Sequence, residues 1–248
     1  MKWKEFDNLA SKNFTTLGST WYHMTVTFRG SKVITFVAHN IGLSPNLVSV
    51  ISALFVVMAM GLILWKPNDL GVGLLSLLSL QLCFMSDCAD GMLARIQNRT
   101  SRFGAFLDHL LDTLNHYVVF IGFGIAWAIK SPEAASIGNV IIYIVGACLY
   151  IFYYEVSMIR GYEYGHLKGT VEKLGNSWRQ KVLKIAYALI NRGVHYLLLS
   201  IAYLLGVIHW VVLLYGILGM ALTIAMVVYV YLSDRKHAVK WDSTSRDK

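Results

Sequence analysis

The feature that most restricts this chain is a series of apolar stretches, each about as long as a bilayer is thick, spread from residue 45 to residue 232. Hydropathy marks them at 45–65, 70–93, 104–129, 137–159, 193–208 and 210–232. A helix needs ~20 apolar residues to cross a ~30 Å hydrocarbon core, and most of the six qualify; 193–208 is the shortest. Lipid offers backbone amides no partner, so such stretches satisfy themselves as helices. The expected fold is an all-α integral membrane protein, with a six-transmembrane-helix bundle over 45–232. Only 15% of residues are charged, against roughly a quarter in soluble domains.

The basic residues set the orientation. With both termini cytoplasmic, all Lys and Arg except Lys66 and Lys130 fall on cytoplasmic segments, which fits an even number of spans. Topology thereby accounts for the net charge of +8. No basic, aromatic-interleaved module is present, so no nucleic acid is expected as a partner. Cys83, Cys88 and Cys148 have no metal-type spacing and imply no disulfide framework.

Residues 1–44 read as an N-terminal cytoplasmic or interfacial segment. No apolar stretch follows its early lysines, so no secretory leader is expected. Trp3, Phe6, Ala10 and Phe14 recur at helical spacing, which predicts an interfacial amphipathic helix lying on the membrane. The segment 161–192 is too polar to cross. Val171, Leu174, Trp178, Val182, Ile185 and Ala186 approximate a helical period there, and predict a cytoplasmic, partly amphipathic helix bordering a site. Residues 233–248 form a cytoplasmic tail.

The chemistry concentrates between the second and third stretches. Asp87 and Asp90 are three residues apart, and Asp108 and Asp112 four apart, so on helices each pair shares a face. A connection of roughly ten residues makes the two helices antiparallel neighbours, and four carboxylates converge. Charges at membrane depth cost a few kcal/mol each, and repulsion adds to that unless cations intervene. Hard oxygen ligands suit Mg²⁺ or Mn²⁺, which commonly take a substrate diphosphate as a remaining ligand. Two such ions would stabilise charge on attacking and leaving oxygens alike.

Residues 87–112 read D-x2-D-G-x2-A-R-x8-G-x3-D-x3-D, and this resembles the signature of the CDP-alcohol phosphatidyltransferase family. The Ser-Pro-Asn-Leu-Val-Ser stretch at 44–49 also looks like that family. The resemblance implies six spans and transfer of a phosphoalcohol group from a CDP-alcohol donor to an alcohol, with release of CMP. It implies that Asp87, Asp90 and Asp108 bind two metal ions, and that Asp112 is the general base and a further metal ligand. Gly91, Ala94 and Gly104 would leave room for the cytidine nucleotide, and Arg95 would hold its phosphates. Small residues do permit close backbone approach, and a guanidinium matches phosphate oxygens at two points. Asn46 is a further candidate nucleotide contact.

The Asp-His-x-x-Asp-Thr-Leu-Asn stretch at 108–115 resembles the aminoalcohol branch of the family. His109 could share the base role, and His116 could orient Asp112. Glu155 could pair with Arg160 or meet a polar substrate, and Arg160, Arg179 and Arg192 could form a pocket for a phosphorylated acceptor.

The expected reaction is phosphatidyl transfer from CDP-diacylglycerol in phospholipid biosynthesis, in a prokaryotic inner membrane, with membrane lipids as surroundings. The alternative is a CDP-choline or CDP-ethanolamine phosphotransferase acting on diacylglycerol. A divalent-cation transporter is the rival from another class, but it would place carboxylates near the midplane of related repeats. Homodimers occur in the family, and the residues themselves do not specify one.

Overall fold

A computed structural model describes residues 2–13, 22–164 and 192–245. Among the described residues every regular element is helical: α1 (Trp3–Asn13), a π-helical turn (His23–Thr27) leading into α2 (Phe28–Asn40), α3 (Pro45–Trp65), α4 (Leu70–Ile96), α5 (Arg102–Lys130), α6 (Ile137–Tyr164), α7 (Arg192–Leu204) and α8 (Ile208–Ser245). Among the described residues five helices are long and apolar enough to cross a membrane: α3, α4, α5, the Ile137–Ile159 part of α6 and the Ile208–Tyr231 part of α8. The chain is an integral membrane protein of all-helical class.

The sixth expected span is the exception. The described α7 has 13 residues, short of the ~20 a crossing takes. It ends at Leu204 rather than 208, because Gly206 takes a left-handed φ of 78° and turns the chain. The Val207 N–H then reaches back to the Ala202 carbonyl at 2.9 Å, closing the helix end. His195, Tyr196, Leu199, Ala202 and Tyr203 are all buried, so α7 lies largely inside the protein. Residues 165–191, which hold the apolar positions of the amphipathic helix expected at 161–192 and Arg179 with them, lie outside the described residues.

Local sequence explains where the other helices begin and end. The side chains of Ser44, Asp69 and Ser101 accept from the amides of Leu47, Val72 and Gly104, capping α3, α4 and α5. Pro45 occupies the first turn of α3, where no amide is missed. Asn98 ends α4 in a left-handed conformation (φ 52°), and the Arg99 N–H bonds back to the Ala94 carbonyl at 2.8 Å. Only residues 97–101 then separate α4 from α5, and the chain reverses there.

Packing departs from the expected arrangement in one respect that shapes the site. Despite that short turn, the backbones of α4 and α5 approach at few points, whereas α3 packs closely against both. Ser52 of α3 donates to the Cys83 carbonyl of α4 at 3.1 Å, and Met60 of α3 packs where a Cβ on Gly122 of α5 would stand. On the far side, α6 packs tightly on α8. A Cβ on Gly216 would fall 2.5 Å from the Gly146 carbonyl oxygen, so these backbones meet directly. One apolar core joins α3 through α8, from Val56 and Met60 to Phe123, Tyr150, Tyr203 and Tyr215.

The helix α2, not anticipated within 1–44, braces α4 from behind. Ser31 reaches the Met85 carbonyl at 2.8 Å and Thr35 the Ala89 carbonyl at 3.3 Å. Helix α1 turns Phe6 and Ala10 onto Met92, with Phe28, Phe36 and Ile96 around them, while Trp3 and Leu9 stay exposed. Lys32 of α2 and Asp7 of α1 pair at 2.5 Å.

Candidate active site

Three of the four aspartates meet. Ligand oxygens of Asp87, Asp90 and Asp108 all lie within 4.8 Å of one another. The spacing of three residues puts Asp87 and Asp90 on one face of the last turns of α4, and the reversal at Asn98 brings Asp108 opposite them. Asp90 is buried, and its Oδ2 accepts a hydrogen bond from the Ser49 hydroxyl of α3. Ser49 therefore holds the innermost carboxylate, a role that the sequence did not single out. Its position one helical turn after Pro45-Asn46, in the stretch already noted, was the available signal.

Beside this triad an open cavity of about 180 Å³ lies between α3 and the connected ends of α4 and α5. Its lining includes Asn46, Ser49, Asp90, Gly91, Ala94, Arg95, Gly104 and Asp108. All five residues expected to face a nucleotide are thus brought to one wall set. A Cβ on Gly91 would sit 3.4 Å from the Arg95 guanidinium, and one on Gly104 would sit 3.4 Å from the Asn46 amide oxygen. Glycine at both places widens the space that Arg95 and Asn46 border.

The donor chemistry of the triad fits a hard divalent cation. Three carboxylates so close, one of them buried, repel each other strongly unless a positive ion neutralises them. Asp87, Asp90 and Asp108 are the residues that would hold such an ion.

Asp112 is not one of those three, but it lies near enough to Asp90 for their charges to interact. It is buried, and its Oδ2 accepts from the Tyr154 hydroxyl of α6 at 3.1 Å. His116, expected as an orienting partner, instead places Nδ1 2.8 Å from the main-chain oxygen of Asp112. The spacing of four residues explains this, because a histidine there reaches back to its own helix backbone. His109 lies 3.7 Å from Glu155, and Thr113 donates to Glu155 at 2.9 Å. Glu155 therefore faces α5. The side chains of Arg160, Arg179 and Arg192 lie outside the described residues, and with them the expected Glu155–Arg160 pairing.

Tyr154 and Thr113 also escaped the sequence reading. Their signal was position alone: Tyr154 precedes Glu155 near the inner end of α6, and Thr113 follows Asp112. Neither residue type marks a site unless the facing helix is known.

A family model described as CDP-alcohol phosphatidyltransferase matches residues 42–229, which spans α3 through most of α8 and includes Asp87, Asp90, Asp108 and Asp112. No curated protein matches the chain.

Proposed function

The chain belongs to the CDP-alcohol phosphatidyltransferase family, and from that premise we propose that it transfers a phosphoalcohol group, with Asp87, Asp90 and Asp108 as metal ligands and Asp112 as general base. The observation that carries this reading is the meeting of three carboxylates beside a cavity bordered by Arg95, Gly91, Gly104 and Asn46. Mg²⁺ or Mn²⁺ there, as one ion or two, would neutralise phosphate charge as it shifts to the leaving group.

The protein's own residues do the rest. Arg95 binds phosphate oxygens, and the glycines admit the nucleotide. The acceptor's oxygen forms a bond to the phosphorus that carries the donor's alcohol. The diphosphate P–O bond breaks, CMP departs with the electron pair, and the acceptor's proton passes to Asp112. A diphosphate is already activated, so positioning and charge neutralisation are what the protein must supply. The acid-bearing helix ends lie on the side rich in Lys and Arg, which supports a cytoplasmic site with both termini inside; α7, short and largely within the bundle, would then be a sixth crossing lined by protein rather than lipid. α1, with Trp3 and Leu9 outward, would rest at the same interface. We place the protein in a prokaryotic inner membrane.

The donor we propose is CDP-diacylglycerol, with a polar alcohol as acceptor. One observation favours the converse, a CDP-aminoalcohol donor with diacylglycerol. Glu155 sets a carboxylate, not a cation, beside His109 and Thr113 next to the proposed base. Such a group suits an amine and disfavours a phosphorylated acceptor.

The deciding experiment is CMP release by purified protein with Mg²⁺ or Mn²⁺. Radiolabelled CDP-diacylglycerol is tested against a panel of polar alcohols, in parallel with CDP-choline and CDP-ethanolamine plus diacylglycerol. Asp112→Asn should abolish turnover and leave nucleotide binding nearly intact; normal turnover by that variant would remove Asp112 from the base role.

A further inference from the structure

We infer that Tyr154 is a positioning residue for Asp112, holding the base at a fixed rotation from a helix that carries none of the aspartates. The inference rests on the base assignment above. Asp112 lies on α5, which makes only slight backbone contact with α6, so its side chain needs an anchor across that seam. Tyr154 supplies one. Its hydroxyl donates to Asp112 Oδ2 at 3.1 Å, and its ring lies 4.1 Å, centroid to centroid, from that of His116. His116 is itself fixed, being 1% exposed and bonded to the Asp112 main-chain oxygen at 2.8 Å.

The three groups form a closed path. Asp112's backbone holds His116, the His116 ring holds the Tyr154 ring, and the Tyr154 hydroxyl holds Asp112's carboxylate. A carboxylate on a single χ2 torsion otherwise turns broadly, since that torsion has no sharp wells. A base that must receive a proton in the transition state gains from being pinned, because misplacement by about 1 Å can cost on the order of a hundredfold in rate. A donated hydrogen bond also makes the carboxylate a weaker base, so the arrangement gives up some proton affinity for geometry.

This role separates cleanly from packing. Tyr154→Phe keeps the ring on His116 and removes the hydrogen bond donated to Asp112. Tyr143 offers a matched control on the same helix: it is buried, and its hydroxyl donates to the Phe120 carbonyl of α5 at 2.6 Å. Tyr143→Phe removes an equivalent bond across the same seam, away from the aspartates.

The experiment is steady-state CMP release by wild type, Tyr154→Phe and Tyr143→Phe, with thermal midpoints measured in the same detergent. Tyr154→Phe should lower kcat roughly 10- to 100-fold, with KM for both substrates unchanged and a thermal midpoint no lower than that of Tyr143→Phe. Tyr143→Phe should leave kcat at the wild-type value, with a midpoint shift at least as large as that of Tyr154→Phe. A Tyr154→Phe enzyme with wild-type kcat overturns the inference. So does one whose loss lies in KM or comes with a midpoint below that of Tyr143→Phe, since that is a packing defect. An active wild type with an unaffected Phe variant sinks this inference alone, whereas a wild type inactive on every donor and acceptor pair sinks the proposed reaction and this inference with it.

Discussion

Two pairs of glycines do opposite work in this molecule. Gly146 of α6 and Gly216 of α8 let two helices touch backbone to backbone; a Cβ on Gly146 would come 2.7 Å from Leu213 main-chain atoms. Gly91 of α4 and Gly104 of α5 border an open cavity where the nearest obstacles are side chains at 3.1 Å or more. The first pair removes space and the second preserves it. A bundle whose reactive end must stay open while its charges crowd together needs its cohesion elsewhere, and α6 with α8 supplies much of it.

This contrast can be broken experimentally. The largest expected effect is at the open end: Asp108→Asn should lower metal-dependent CMP release about a thousandfold or more. The same variant should keep its thermal midpoint without metal, because it relieves repulsion among three carboxylates. It should lose most of the rise in midpoint that Mg²⁺ gives the wild type. A large fall in the metal-free midpoint would mean that the acidic end is itself a stabilising contact, and the division of labour would be wrong.

Next in size is Gly216→Leu at the closed crossing. The obstructing atoms are backbone and cannot step aside, so overpacking should cost about 3 kcal/mol or more. Thermal denaturation in detergent would show it, and a variant as stable as wild type would reveal slack in the α6–α8 contact.

The smallest effect sharpens the comparison most, because its two signs differ. Alanine at Gly91 should raise stability by about 0.5–1 kcal/mol, since alanine suits a helix interior better than glycine. It should also weaken nucleotide binding by roughly tenfold, about 1.4 kcal/mol. Alanine at Gly216 should lower stability. Paired denaturation curves and CMP titrations decide this, and a shared sign of stability change would refute the distinction.

Much of this architecture could be read from the residues alone, for identifiable reasons. The long apolar stretches fixed α3, α4 and α5 to within a few residues, and the membrane-crossing parts of α6 and α8, because lipid permits little besides a helix; α8 itself runs on to Ser245, through residues expected to form a tail. The aspartates were legible because carboxylates in apolar helices are costly and so rarely incidental. Helix α2 was missed because Ser31 and Thr35, its buried face, are hydroxyl residues that satisfy themselves on α4 carbonyls rather than forming an apolar stripe. The wedge of α3 between α4 and α5 was hidden too. A short connection brings two ends together but does not specify which third helix fills the angle. Tyr154 became visible only when α6 was seen to face α5.

The place of α3 between the acid-bearing helices has a consequence for the order in which the site comes into being. Asn46, Ser49, Asp87, Asp90, Gly91, Arg95, Gly104 and Asp108 all precede residue 109, so synthesis delivers the whole nucleotide side of the site first. The partners of the proposed base, Tyr154 and Glu155, emerge tens of residues later, with α6. A ribosome halted before α6 would leave a nascent protein holding the cradle for a donor but lacking the grip on Asp112.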